Sequence, residues 1–231
     1  MIGGETDPKW PKLLSLAAHE LRSPLTVVGG YIRMLLKDRA GPLNDQQRRL
    51  MEEAEKSCGR LSSLVAEVSE LAHLESGRVA FSRTRVDLRS IIADAIAGLP
   101  DLQDRTVTVD LMADEVQTIQ GDAVRLKSAF TSIVHALRRE LVTSDRLAVH
   151  LHQANDEGEV APSLRVNIAE PARIEWLKTL PPAELATFDE WRGGNGLALP
   201  NARRILESHG GQIWSPAEDG KAGAVVSLPL S

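Results

Sequence analysis

A histidine and a glutamate stand side by side near the start of the chain, in the run His19-Glu20-Leu21-Arg22-Ser23-Pro24-Leu25-Thr26. A neutral imidazole nitrogen can attack phosphorus, and an adjacent carboxylate can hold the other ring nitrogen and accept its proton. Pro24 lacks an N–H and crowds the carbonyl of residue 20, so we expect the helix to bend or loosen there and expose His19. The run therefore predicts phosphoryl chemistry on His19, against the alternative of a histidine satisfied by local hydrogen bonds on an ordinary helix.

Two long amphipathic helices are predicted to carry this histidine. Apolar residues recur at steps of three and four from residue 10 to residue 37, which indicates one helix. Gly41 and Pro42 end it, Asn44 can cap the next helix, and a second apolar stripe runs to about residue 76. Each helix would be about 45 Å long, and the two would form a hairpin.

A hairpin of this length leaves a broad apolar face uncovered. A two-fold partner would cover that face and complete a four-helix bundle, so the sequence predicts a homodimer. The alternative is that the face packs on the C-terminal half of the same chain.

After Gly77 the pattern changes to short strands that alternate with helices. The sequence therefore predicts a helical domain at residues 9–77 and a second domain at residues 78–231. We expect an α+β fold, in which the hairpin is followed by a sandwich with helices on one face of a mixed sheet. The predicted strands are 79–86, 106–111, 116–119, 147–152, 164–168, 212–214 and 224–228, and the predicted helices are 88–99, 122–141 and 196–209.

A second candidate site lies in the glycine-rich run Gly193-Gly194-Asn195-Gly196-Leu197-Ala198-Leu199, which leads directly into a predicted helix. Glycines in front of a helix let backbone N–H groups approach an anion, and the helix N-terminus adds partial positive charge. The run is therefore a candidate phosphate-binding loop.

Together, the two runs resemble sensor histidine kinases of two-component systems. The first is similar to their histidine box, H-E-hydrophobic-R-T/N-P-L-T, with Ser23 as the one departure, and residues 193–214 are similar to their second glycine box with its following helix and strand. The resemblance implies that His19 is the phosphoacceptor, Glu20 its base, and Ser23 a residue that positions water for dephosphorylation. It also implies a GHKL-type ATPase domain, bound ATP and magnesium, and a response regulator receiver domain as partner.

The middle of the chain departs from this family at the nucleotide site. The family has an asparagine that holds magnesium where this chain has His135, and an imidazole is a poor magnesium ligand. The family box D-x-G-x-G-I, which reads adenine, corresponds to residues 169–174, where both glycines are replaced and the acidic residue is absent or displaced to Glu170. Only Arg192 separates the motif at residues 188–191 from Gly193, so the family's flexible lid is missing. We therefore expect a degenerate domain that binds ATP weakly or not at all.

The candidate nucleotide contacts are His135, Gly194, Gly196 and Leu197. No protein metal site is predicted, because His150 and His152 have the spacing of a ligand pair on a strand but no evident third ligand.

Composition excludes several classes of protein. The 231 residues carry a net charge of −5 with scattered basic residues, so the basic surface of a nucleic-acid-binding protein is missing. The single cysteine, Cys58, can form no intrachain disulfide, which suits a reducing compartment. Neither a run of about 18 apolar residues nor a signal peptide is present. We expect a cytoplasmic unit without membrane contact, alone or as the soluble part of a larger sensor protein.

Three functions are consistent with these patterns. The first is a kinase core that moves the γ-phosphoryl group of ATP to His19 and then to a response regulator aspartate. The second is an ATP-independent phosphotransferase of a phosphorelay, which uses His19 to pass phosphate between receiver domains. The third is a non-catalytic pseudokinase that regulates by contact. The losses at the nucleotide site favour the second over the first, and the intact histidine run argues against the third.

Overall fold

The computed structural model describes residues 9–77, 79–113, 118–142, 144–154, 162–192, 196–216 and 222–230. The chain divides into two compact units, Met1–Val79 and Ala80–Ser231. The first is a hairpin of two long helices, and the second is a mixed sheet with helices. The predicted α+β fold is confirmed.

The first unit contains helices α1 (Trp10–Leu36) and α2 (Asp45–Glu75). The side-chain oxygen of Asn44 accepts the Gln47 N–H at 2.8 Å, and the Gln47 side chain accepts the Asn44 N–H at 3.0 Å. This reciprocal pair satisfies two free N–H groups at the start of α2, so the predicted cap is confirmed. Helix α1 runs through Pro24 without a break, so the expected loosening does not interrupt it.

Small residues bring α1 and α2 close together near their middles. A Cβ atom added at Gly29 would lie 3.3 Å from the Cys58 sulfur, and the Cys58 thiol donates to the Leu25 carbonyl at 3.6 Å. Cys58 is buried, which is the ordinary environment of a small apolar thiol. The hairpin is therefore held by close packing at this level.

The hairpin also keeps large apolar side chains in solvent. Leu16 is 58% exposed and Tyr31 is 64% exposed, although both belong to the apolar stripe or its margin. The other large apolar residues exposed on the two helices are Trp10, Leu13, Leu21, Val27, Val28, Met34, Leu50, Leu61 and Leu64. Exposed apolar area on this scale marks an interaction surface.

The second unit is built around a six-stranded sheet in the order β2-β4-β5-β8-β7-β6, with a separate antiparallel pair of β1 and β3. Only β2 and β4 pair in parallel; the other neighbours in the large sheet are antiparallel. The strands are β1 (Thr84–Asp87), β2 (Thr108–Ala113), β3 (Thr118–Gly121), β4 (Arg146–Ala154), β5 (Ser163–Ala169), β6 (Ala186–Thr187), β7 (Gln212–Ser215) and β8 (Gly223–Pro229). The helices are α3 (Leu88–Ala97), α4 (Ala123–Glu140), α5 (Ile174–Thr179) and α6 (Ala198–Ser208).

The sheet is covered more completely than the sequence predicts. Every residue of β5 is buried, and since successive side chains of a strand point to opposite faces, both faces of the sheet are covered there. Ile174 and Leu177 of α5 pack with Ala148, Ala169 and Val225 of three neighbouring strands. The prediction that helices cover only one face is therefore wrong, because α5 is too short to show a helical period.

His209, at the end of α6, is a buried neutral group. Its Nδ1 donates to the Ile205 carbonyl at 2.7 Å, and its Nε2 accepts the backbone N–H of Asp122 at 3.0 Å. Burial lowers the pKa of the His209 imidazole. The ring thus ties the end of α6 to the start of α4 only while it is uncharged.

We expect the second unit to lose stability as the pH falls below the ordinary imidazole pKa of about 6.5. Below that value the unfolded chain binds a proton that folded His209 resists, so stability is complete above it and declines as the pH falls through the lowered folded pKa. Urea unfolding between about pH 8 and pH 5 should show this decline. His209→Gln should flatten it, because an amide can donate and accept without titrating; equal slopes for both proteins would contradict the assignment.

Candidate functional site

His19 and Glu20 form an exposed pair on α1. The Nδ1 of His19 lies 3.3 Å from Oε1 of Glu20, and the two side chains are 74% and 71% exposed. A carboxylate only accepts hydrogen bonds, so this contact favours a proton on Nδ1 and leaves the lone pair on Nε2. An exposed pair contributes little to stability. Its consequence is chemical: it presents a nucleophilic Nε2 to solvent.

Ser23 lies one helical turn after His19, which places the two residues on the same side of α1. Ser23 is exposed. Pro24 removes one backbone donor from this turn, while the Thr26 hydroxyl donates to the Arg22 carbonyl at 2.8 Å and supports the turn that follows. The Thr26 hydroxyl therefore supports the helix just after Pro24. The Ser23 hydroxyl is exposed on the same side as His19, where it can contact a molecule that approaches His19.

A groove of about 490 Å³ borders His19 within the first unit. We call it the His19 groove. Its polar lining consists of Lys12, Ser15 and His19 from α1 and His73 and Ser76 from α2, and its other lining residues are Pro11, Leu16 and Ala72. His73 is exposed, and it shares this groove with His19.

His135 lies on α4 and is half buried. Its Nδ1 is buried and has no hydrogen-bond partner among the described residues. Burial lowers the pKa of the His135 imidazole, and the positive charges of Arg138 and Arg139 lower it further. Position 135 therefore holds a neutral ring.

The glycine-rich run is only partly described. Gly194 lies outside the described residues. Gly196 has a φ of +60°, a backbone conformation that favours glycine, and Leu197 precedes the first turn of α6. The predicted position of Gly196 and Leu197 at a helix N-terminus is thus seen, without any ligand contact to test it.

Two arginines converge on the start of β8. Arg192 Nη1 donates to the Gly223 carbonyl at 3.2 Å and lies 3.3 Å from the Ser215 hydroxyl, while its Nε lies 2.9 Å from both carboxylate oxygens of Glu140. Arg173 Nη1 donates to the Ala222 carbonyl at 3.5 Å. The Arg192 and Glu140 side chains are only 16% and 19% exposed, so this is a largely desolvated ion pair.

These arginines stand beside the strand end where the family's adenine-reading carboxylate is expected. Ala169, the residue at that position, is fully buried and pairs in register with Gly223. No local sequence pattern indicates the contact of Arg192 with Glu140, because the two residues are separated by 52 positions.

Comparison with known proteins places the histidine in a defined domain. Residues 12–77, which include His19 and most of the hairpin, match the His Kinase A (phospho-acceptor) domain family. The match supports a sensor histidine kinase in which the hairpin is the phospho-acceptor domain and an ATPase-like domain follows.

The chain is similar to longer proteins. It is 28% identical over 219 residues to the adaptive-response sensory-kinase SasA of Prochlorococcus marinus subsp. pastoris, covering 91% of this chain and 55% of SasA. It is 25% identical over 210 residues to the signal transduction histidine-protein kinase BarA of Escherichia coli, covering 87% of this chain and 22% of BarA. The chain thus spans about half the length of SasA and a smaller share of BarA.

The fold of the chain is also that of a solved structure. Full-length ShkA in complex with AMPPNP matches it with a TM-score of 0.68 and 22% identity, over 96% of this chain and 46% of ShkA. Within the described ranges of this chain, none of the helices has the length and apolar character needed to cross a membrane. No group of three or more His, Cys, Asp or Glu side chains in those ranges is arranged to hold a metal ion.

Proposed function

We propose that His19 carries a phosphoryl group and exchanges it with an aspartate of a response regulator receiver domain. The observation that carries this proposal is the exposed His19 and Glu20 pair inside the phospho-acceptor domain. Glu20 holds Nδ1, so the lone pair of Nε2 attacks phosphorus. The Nε2–P bond forms as the P–O bond to the aspartyl carboxylate breaks; the reverse step returns the phosphoryl group to a carboxylate and frees the imidazole.

Ser23 has a separate part in this proposal. It lies one turn from His19 and is exposed, so its hydroxyl can orient a water molecule toward a phosphorylated partner docked at His19. Such a water would remove the phosphoryl group from the partner's aspartate by hydrolysis. Ser23 thus supports dephosphorylation rather than uptake.

We also propose that the chain is a homodimer through the exposed apolar side chains of α1 and α2. A second copy of the hairpin would complete a four-helix bundle and remove that surface from water. Light scattering should give twice the monomer mass. A monomeric mass at micromolar concentration would refute the dimer, and Leu61→Glu serves as a comparison because Leu61 is 50% exposed on α2 and a charge there should weaken association.

The residues at the family's nucleotide positions favour this ATP-independent route over autophosphorylation by ATP. Magnesium prefers oxygen ligands, whereas position 135 offers a neutral imidazole. The amino group of adenine needs an acceptor, whereas the Ala169 side chain is a methyl group and Arg192 only donates, so the carboxylate of the next residue, Glu170, would have to take that role. Glu140, the nearby carboxylate, is already paired with Arg192.

ATP with magnesium is the expected phosphoryl donor of the family, and ShkA was solved with AMPPNP. In a kinase of this family, bound ATP supplies the γ-phosphoryl group. Because the residues of this chain do not fit adenine and magnesium, the donor in our proposal is a phosphorylated receiver aspartate. We also propose that the chain is cytoplasmic and works within a longer sensor protein. Relatives such as SasA and BarA, which are longer than this chain, support the second part of this proposal.

Radiolabel transfer tests the proposal directly. The full chain is incubated with γ-labelled ATP and magnesium, and separately with a labelled phospho-receiver domain. Acid-labile, alkali-stable label from the receiver alone is the expected result. Label from ATP would establish an autokinase and overturn the ATP-independent route. Label from neither source would overturn phosphoryl transfer and leave regulation by contact.

A further inference from the structure

The residues that line the His19 groove include one cation and no carboxylate. Of its lining side chains, Lys12 is a cation, His19 and His73 are imidazoles, and Ser15 and Ser76 carry hydroxyls. The remaining lining residues are apolar, and none is Asp or Glu. On a chain with a net charge of −5, a groove whose polar lining carries no carboxylate is suited to an anion.

Helix geometry explains why these groups meet. Lys12 and His19 are two turns apart, a rise of about 10 Å, so they point to the same side of α1, with Ser15 between them. On α2, His73 and Ser76 are one turn apart and also share a side. The hydroxyl of Ser76 donates to the His73 carbonyl at 2.7 Å, which closes the last turn of α2. The groups left to donate into the groove are therefore Lys12, Ser15 and His73.

The tautomer of His19 directs a phosphoryl group to this groove. Glu20 occupies Nδ1, so phosphorus bonds to Nε2 of a ring that borders the groove. The product adds a doubly charged PO₃ group to α1, and a phosphoryl anion is stabilised by ammonium, imidazole and hydroxyl donors.

We propose that the His19 groove receives the phosphoryl group of phosphorylated His19, with Lys12 and His73 as positioning residues that donate to its oxygens. This inference rests on the proposed function of His19 and deepens it. The groove then sets the lifetime of the phosphohistidine, since cations stabilise the phosphoryl oxygens and oppose protonation of the imidazole leaving group. The lifetime of the phosphohistidine sets the time available for transfer to a receiver aspartate before hydrolysis.

Chemical phosphorylation of the full chain isolates this step from any protein donor. Phosphoramidate transfers its phosphoryl group to Nε2; the Nε2–P bond forms, the P–N bond of phosphoramidate breaks, and ammonia leaves. Phosphorus NMR then gives the chemical shift of phosphorylated His19 and the rate at which its signal decays. The chemical shift reports contacts to the phosphoryl group, which a purely structural role of Lys12 or His73 would not alter.

We expect Lys12→Gln to shorten the phosphohistidine half-life about two- to five-fold, the effect of losing one partly solvated charge interaction, and His73→Gln to shorten it in the same direction; both should shift the phosphorus resonance. His73→Arg should preserve the half-life, because a guanidinium N–H can donate to the same oxygens. Lys37→Gln removes an exposed lysine just after α1 and is the matched control. Circular dichroism should show equal helicity for all variants, since the replaced residues are exposed.

Equal half-lives and resonances in wild type, His73→Gln and Lys12→Gln would overturn the groove assignment while leaving His19 as phosphoacceptor. Stable phosphorylation by phosphoramidate together with no exchange with a receiver domain would overturn the proposed function instead. The two failures are therefore distinguishable.

Discussion

Replacing His19 by glutamine abolishes phosphoryl transfer from a receiver aspartate if Nε2 is the nucleophile. An amide has no nucleophilic ring nitrogen, so neither a receiver aspartate nor phosphoramidate can form a P–N bond at that position. We expect the loss to be complete for the receiver, because transfer from a docked partner needs an acceptor at residue 19. Acid-labile label from the receiver and the phosphorus resonance of phosphorylated His19 should both disappear.

The neighbouring imidazole provides the matched control for this experiment. His73 is the other histidine of the groove, and His73→Gln should still accept a phosphoryl group. Glu20→Gln should slow uptake by about 10²-fold, the lower end of general-base effects, since the Nδ1 contact of 3.3 Å is long. Persistent label in His19→Gln would place the phosphoryl group on another residue and refute the assignment.

The predictable part of the site is the part that is local in sequence. His19 and Glu20 are adjacent, Ser23 is one turn away, and the Asn44 cap involves residues three positions apart. Such contacts follow from helix geometry alone. The two long helices were equally predictable from the sequence, since an apolar stripe over about 30 residues has a clear helical period.

The parts that the sequence could not predict depend on tertiary contacts. Helix α5 covers six residues, fewer than two turns, so no period was visible, and its burial on Ala169 and Val225 depends on strands far away in sequence. The His19 groove joins residues near 15 with residues near 73, which only the register of the hairpin brings together. The contact between Arg192 and Glu140 has the same origin.

The largest stability effect is expected at that ion pair. Glu140→Ala should lower the free energy of unfolding of the second unit by about 2–4 kcal/mol, slightly less than for a fully buried pair because both side chains retain some exposure. Arg192 would remain fixed by Ser215 and the Gly223 carbonyl without a neutralising charge. Urea unfolding of the full chain measures the change.

A double-mutant cycle isolates the interaction energy between Glu140 and Arg192. The double variant Glu140→Ala with Arg192→Ala should lose less free energy of unfolding than the sum of the two single variants, with a coupling energy of about 1–3 kcal/mol. The reason is that the double variant leaves no charge unpaired. Glu53→Ala, which breaks the exposed contact with Lys56, should produce no measurable change and serves as the control. Additive single effects at Glu140 and Arg192 would mean that the two side chains do not share a desolvated contact. Glu140 would then not be held by Arg192 and could accept a hydrogen bond from another donor.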